Sequence, residues 1–147
     1  TLGLINTHIG LIIIYAGTMA VFALWNLKGY FDTIPLEIEE AARIDGADEK
    51  IIVTKIVMPL ARPSIIVTAT MVLNYVWNEY IFSINFLTGK NNTTLASGLY
   101  SLQATEKSGS WPIFAASSII VSIPVLIIFF LSQKYMASGL TSGGVKG

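Results

Sequence analysis

The sequence predicts an all-α, polytopic membrane protein, with about three transmembrane helices and a cytoplasmic helical segment between the first two. Composition is the first reason: of 147 residues, 53% are hydrophobic and 12% charged. The mean hydropathy of +0.65 lies far from the average soluble domain. The second reason is that the charges fall in blocks. Residues 1–27 contain no Asp, Glu, Lys or Arg, Pro63 to Gly89 contains only Glu79, and Ser108 to Gln133 contains none. Each interval holds the roughly 20 apolar residues that cross about 30 Å of hydrocarbon as a helix. Spans are expected near 8–27, 64–87 and 112–133.

The distribution of basic residues sets the orientation. Lys28, Arg43, Lys50, Lys55 and Arg62 fall in the segment 28–63, and Lys134 and Lys146 in the tail 134–147, against Lys90 and Lys107 in the loop 88–111. The positive-inside rule places 28–63 and the C-terminus in the cytoplasm and residue 1 outside. Trp25, Tyr30 and Phe31 beside Lys28 form an inner interfacial anchor for the first span, whose Ala16 and Ala20 offer a small-residue face for helix contact.

Within the cytoplasmic segment the residues predict two short helices around a turn. Pro35 fits a first helical position, and Glu37, Glu39 and Glu40 place negative charge where the helix dipole favours it. This helix is expected to end at Asp45, with Gly46 adopting a left-handed conformation just past it. A second helix starts near Asp48, and Pro59 with Pro63 is expected to break the chain before the next span. Ile38, Ala41, Ala42 and Asp45 lie near one face, small enough at the alanines for a partner backbone to approach. The alternative is an amphipathic helix resting on lipid headgroups, which the acidic character of the segment disfavours on an anionic leaflet.

The run Glu39-Glu40-Ala41-Ala42-Arg43-Ile44-Asp45-Gly46, followed by Ile56-Val57-Met58-Pro59, resembles the cytoplasmic coupling motif of ABC importer permeases. Glu40, Ala41, Ala42, Gly46, Ile56 and Pro59 match it, and Met58 stands where Leu is usual. The flanking Tyr30 to Pro35, Asp45-Gly46-Ala47, Trp77-Asn78-Glu79-Tyr80 and the closing Gly139-Leu140-Thr141-Ser142-Gly143-Gly144-Val145-Lys146-Gly147 resemble the carbohydrate, maltose-type branch across essentially the whole chain. The resemblance implies a complex of two permease subunits, an ATPase subunit dimer and an extracytoplasmic solute-binding protein, in a bacterial or archaeal inner membrane. In such a family the Glu-Ala-Ala helix docks in a cleft of the ATPase, the tail reaches toward the ATPase dimer interface, and ATP drives alternating access. The solute is expected to be a sugar or oligosaccharide, with polyamine or glycerol phosphate as the alternative class. An outside N-terminus that begins with Thr and has no leader-like stretch fits a C-terminal portion of such a permease.

The span 64–87 carries polar groups that hydrocarbon would penalise. Asn74 and Asn78 are four apart, as are Tyr75 and Glu79, and Trp77 and Asn85 lie nearby. Amides, a carboxylate and aromatic faces suit a sugar, so Asn74, Tyr75, Asn78 and Glu79 are candidates for a translocation path. Bonding between neighbouring helices is the competing role for the Asn and Glu residues, and packing is the expected role of Trp77. In the loop, Leu95, Leu99 and Leu102 at helical spacing predict a short amphipathic helix over 94–103 on the outer surface, which by resemblance touches the binding protein. Asn91-Asn92-Thr93 and Asn92-Thr93-Thr94 match a glycosylation pattern by chance. Trp111 with Pro112 marks the outer start of the last span and Lys134 with Tyr135 its exit; Ser118 and Ser122 form a small-residue face and Pro124 is expected to kink it.

Other classes fare poorly. No basic patch suits nucleic acid, no cysteine offers a disulfide, and the lone His8 lacks partners for a metal site. The chain holds no Gly-x-x-x-x-Gly-Lys-Ser/Thr loop, so no catalytic residue and no cofactor site is expected and ATP is bound by a partner. A channel or a structural membrane subunit is the rival from another class, and neither has a reason to carry the coupling motif.

Overall fold

The computed structural model describes residues 3–89, 92–104 and 110–143. Lys90, Asn91 and Lys107, which entered the charge and glycosylation readings, lie outside the described residues, as do residue 1 and positions 144–147 of the tail. Each regular element among the described residues is helical. In chain order they are α1 (His8–Phe31), α2 (Leu36–Ile44), α3 (Glu49–Ile51), a π-helical segment (Ile52–Val57), α4 (Met58–Asn78), α5 (Ile81–Phe86), α6 (Leu95–Ala104) and α7 (Ser110–Gly143). Among the described residues three stretches are long and apolar enough to cross a membrane: His8–Phe31, Glu49–Asn78 and Trp111–Met136. At about 1.5 Å per residue each exceeds the thickness of a hydrocarbon core.

Local chemistry explains the start of α1. The Thr7 hydroxyl accepts from the Gly10 amide at 3.1 Å and donates to the Leu4 carbonyl at 2.7 Å, which satisfies one of the free amides of the first turn. A Cβ at Gly10 would collide with the Leu4 carbonyl and sit 2.9 Å from the Phe86 ring, so the chain approaches itself closely here. α4 is the hub of the structure, with both α1 and α7 packed on it, while α6 joins α7 and α5 joins α1. Leu11, Tyr15 and Leu87 form the buried core, flanked by Val76 and Phe86.

Polar side chains stitch the long helices together. Asn26 Nδ2 donates to Thr68 Oγ1 at 2.7 Å, the Tyr30 hydroxyl to the Leu60 carbonyl at 3.1 Å, and Trp77 Nε1 to the Val121 carbonyl at 3.2 Å. In an apolar solvent such groups need partners, and here each finds one on a neighbouring helix. The outward faces are apolar: Val21, Leu24, Trp25, Ile119, Ile120, Phe130 and Leu131 are all exposed. That is the surface expected of helices that meet lipid or other membrane helices.

Four features differ from the sequence reading. Pro59 and Pro63 do not break the chain, because the stretch from Glu49 to Asn78 is one continuous helical rod. A proline removes an amide donor and usually orphans a carbonyl one turn back. The π-helical turn just before Pro59 shifts the bonding there, with the Met58 amide donating to the Val53 carbonyl, and Pro63 lies inside α4 without ending it. Second, the helix expected over 64–87 stops at Asn78. Glu79 takes an extended conformation (φ −73°, ψ 124°) and its side chain accepts from the Phe82 amide at 2.8 Å, which starts α5 as a separate helix. Third, Pro35 is the residue before α2, extended at φ −62° and ψ 130°, and Leu36 opens the helix. Fourth, helix α7 runs on to Gly143, although the stretch apolar enough to cross a membrane, Trp111–Met136, stays close to the span expected over 112–133.

Candidate functional site

The elbow between α2 and α4 is built by backbone hydrogen bonds around one residue. Gly46 has φ +83°; its amide donates to the Arg43 carbonyl and the Ala47 amide to the Ala42 carbonyl, both at 3.0 Å. This pair of bonds is the Schellman closure of a helix C-terminus, and it requires a residue that accepts the left-handed conformation. A Cβ at Gly46 would meet nothing within 4 Å, so the need for glycine is conformational and not steric. Asp48 restarts the chain as a helix by accepting from the Ile51 amide at 2.7 Å.

The two motif alanines face different ways. Ala42 is buried within the chain, whereas Ala41 is exposed, so of the two only Ala41 is open at the surface. Ile38 and Asp45 are exposed as well, and Glu37, Glu40, Ala41 and Ile44 recur at the spacing of one helix face and are all exposed. Ile44 stands out at 86% exposure. Sequence reasoning passed over it, although a β-branched apolar residue just before a helix-ending Asp-Gly was the available signal. Ile56 lies half-buried in the π-helical turn and Pro59 is exposed at the start of α4. Ile52, in the same π-helical turn, is 1% exposed and anchors the elbow from inside. The motif residues are thus brought together at one end of the α4 rod.

At the other end of α4 the four path candidates separate. Asn78 Nδ2 donates to both the Asn74 carbonyl and Asn74 Oδ1, at 2.8 and 2.9 Å. Asn74, Tyr75 and Asn78 are exposed, whereas Glu79 is buried at 9% exposure. Glu79 Oε2 accepts from the Tyr15 hydroxyl at 2.6 Å and Oε1 from the Phe82 amide. Tyr15 was not anticipated as a site residue; a tyrosine in the middle of an apolar span, whose hydroxyl needs a partner, was the signal. Trp77, assigned to packing, bonds to α7.

Beside Asn78 lies an open cavity of about 540 Å³ between α4, α6 and α7, with Trp77, Asn78, Tyr80, Tyr100 and Gln103 in its lining. Tyr80 and Tyr100 stack with ring centroids 5.1 Å apart. Amide groups and ring faces together match the two surfaces of a sugar, its hydroxyls and its C–H face. Among the described residues no group of three or more His, Cys, Asp or Glu side chains is placed to hold a metal ion. His8 is exposed in the first turn of α1.

Comparison with known proteins places this architecture. The chain is 38% identical over 146 residues to the galactooligosaccharides transport system permease protein GanQ of Bacillus subtilis, covering 99% of this chain and 52% of that protein. It is 40% identical over the same length to the inner membrane ABC transporter permease protein YcjP of Escherichia coli, again 99% and 52%. To the trehalose/maltose transport system permease protein MalG of Thermococcus litoralis it is 36% identical, with the same coverage. The chain therefore spans about half the length of these relatives. Residues 2–142 match the model of one family, described as the binding-protein-dependent transport system inner membrane component, and to that family of membrane permeases the chain belongs.

Proposed function

We propose that this chain forms part of a permease subunit of an ATP-driven importer for a sugar or oligosaccharide. The observation that carries the reading is the elbow: a left-handed Gly46 sets an exposed, acid-bearing helix face at an angle to a rod that runs without interruption from Glu49 to Asn78. A push on α2 is thereby passed to the far end of α4, where Asn74, Tyr75 and Asn78 present polar groups. Glu40, Ala41 and Gly46 are the coupling residues, with Ala42, Ile56 and Pro59 supporting the turn. The names of the relatives, which include galactooligosaccharide and trehalose/maltose permeases, support a carbohydrate as solute.

The partners that follow are an ATPase dimer docked on α2, a second permease subunit, a solute-binding protein on the outer face and the lipid around α1 and α7. ATP is bound by the ATPase, since the sequence holds no phosphate-binding loop of its own. The elbow and the C-terminus face the cytoplasm by their basic residues. Reconstituting the full-length subunit with these partners in vesicles and following labelled oligosaccharides tests the proposal. Uptake that requires both ATP and the binding protein is expected. Downhill flux without ATP would overturn it in favour of a channel, and uptake of a polyamine or glycerol phosphate but no sugar would change the solute class.

A further inference from the structure

We propose that Tyr15 and Glu79 form a pin that fixes α1 to the break between α4 and α5. In the importer reading, on which this inference rests, Glu79 is a positioning residue that does not touch the solute. Both carboxylate oxygens are engaged by groups of this chain. Oε2 accepts from the Tyr15 hydroxyl at 2.6 Å and from the Ser83 amide at 3.4 Å, Oε1 accepts from the Phe82 amide at 2.8 Å, and the residue is 9% exposed. A carboxylate held this way starts α5 and ties it to a helix that is distant in sequence.

A second set of contacts binds the same two parts. The Asn6 amide donates to the Phe86 carbonyl at 3.0 Å, the Gly89 amide to Asn6 Oδ1 at 2.9 Å, and Asn92 Nδ2 to the Asn6 carbonyl at 2.9 Å. Leu11 and Tyr15 of α1 share their buried cluster with Leu87, just past α5. The start of α1, α5 and the residues after it therefore move as one body. Asn78 sits immediately before Glu79, outside that body's grip, and stays exposed. The pin sets where α4 ends and so where Asn74 and Asn78 face, and a movement delivered along α4 acts against a fixed point at Glu79.

Tyr15→Phe and Glu79→Gln, singly and together, test this in the full-length subunit assembled with its partners. Each single variant is expected to lower the maximal uptake rate roughly tenfold, as befits loss of a hydrogen bond to a charged group. The double variant should be no worse than the poorer single one, because one interaction is lost. Preference among competing sugars should not change. A distance readout stands apart from transport. In an assembly whose native cysteines have been replaced, spin labels introduced by Ile9→Cys and Ile81→Cys, both at exposed positions, report on α1 against α5. The distribution should be narrow in the parent and broad in both variants. If the parent assembly takes up no sugar, the importer reading fails while the label distance still decides the pin. A full uptake rate with an unchanged distance in Tyr15→Phe would overturn the pin, as would an altered sugar preference in Glu79→Gln alone.

Discussion

Arg43, in the last turn of α2, reaches across the elbow to Glu49 in the first turn of α3, with Nη2 3.3 Å from Oε1, and also lies 3.9 Å from Glu39 Oε2. All three side chains keep substantial contact with solvent, where such pairs contribute about 0.2–1 kcal/mol. The ion pairs therefore trim the angle of the elbow without creating it. Its shape rests on the Gly46 and Ala47 amides, and that distinction separates the mutations that matter from those that do not.

Gly46→Val should lower uptake strongly while leaving membrane insertion intact. A side chain at φ +83° costs about 1–2 kcal/mol for an L-residue, and β-branching makes the conformation rarer still. A penalty of that size disfavours the elbow by a factor of roughly 5–30. Because a Cβ would meet nothing, Gly46→Asn should be the mild variant, as Asn tolerates the left-handed region. Vesicle uptake with both variants checks the order, and equal loss in Asn and Val would show that crowding, not conformation, governs the site.

Ile44→Asp should weaken association with the ATPase by roughly 10- to 100-fold, the loss expected if about 1.5–3 kcal/mol of apolar burial in the docked state is removed. Ile44 is 86% exposed in this chain, so the substitution disturbs no contact of its own fold. Glu40→Lys, on the same face, should reduce docking through reversed charge. Co-purification of the ATPase with each variant measures it, and full recovery of the ATPase with Ile44→Asp would move the docking face elsewhere.

What the sequence disclosed follows from how local each cause is. The end of α2 was legible because Asp45-Gly46 carries its own chemistry, and the restart at Asp48 because an acidic cap acts within three residues. The helix over 94–103 was legible from its leucine spacing. The break at Glu79 was not, since the apolar run continues through it and its hydroxyl partner, Tyr15, lies 64 positions away. Pro59 misled for a related reason: the propensity of a proline says that bonding must change nearby, and here the change was a π-helical turn immediately upstream, while Pro63 is carried inside α4. Likewise Ala41 and Ala42 are equivalent as letters, and only packing against the elbow decides that Ala42 faces inward.

Thr68→Val should destabilise the subunit by about 1 kcal/mol. Thr68 is 3% exposed, accepts from Asn26 Nδ2 at 2.7 Å and donates to the Ser64 carbonyl at 2.8 Å. Valine keeps the shape and leaves the Asn26 amide without that partner, so Asn26→Leu added to Thr68→Val should recover part of the loss. Reversible unfolding in mixed micelles measures both, and strictly additive effects would show that the two side chains act independently.

Aqueous thiol reagents should separate the polar groups at the far end of α4 into two classes. Asn74 and Asn78 are exposed and bonded to each other, whereas Ser83, one turn beyond Glu79, is fully buried with its hydroxyl 2.7 Å from that of Thr94. In the assembled transporter Asn74→Cys and Asn78→Cys should react, and bound solute should slow the reaction if these residues line its path. Ser83→Cys replaces an oxygen by sulfur with little change in shape and should stay unreactive whether or not nucleotide is present, because the pinned body around α5 does not open. These 147 residues contribute no native cysteine, and replacing those of the rest of the assembly makes each signal specific. Labelling of Ser83→Cys during turnover would mean that α5 detaches from α1 in the transport cycle, and protection of Asn74 and Asn78 in every nucleotide state would assign them to contacts between helices.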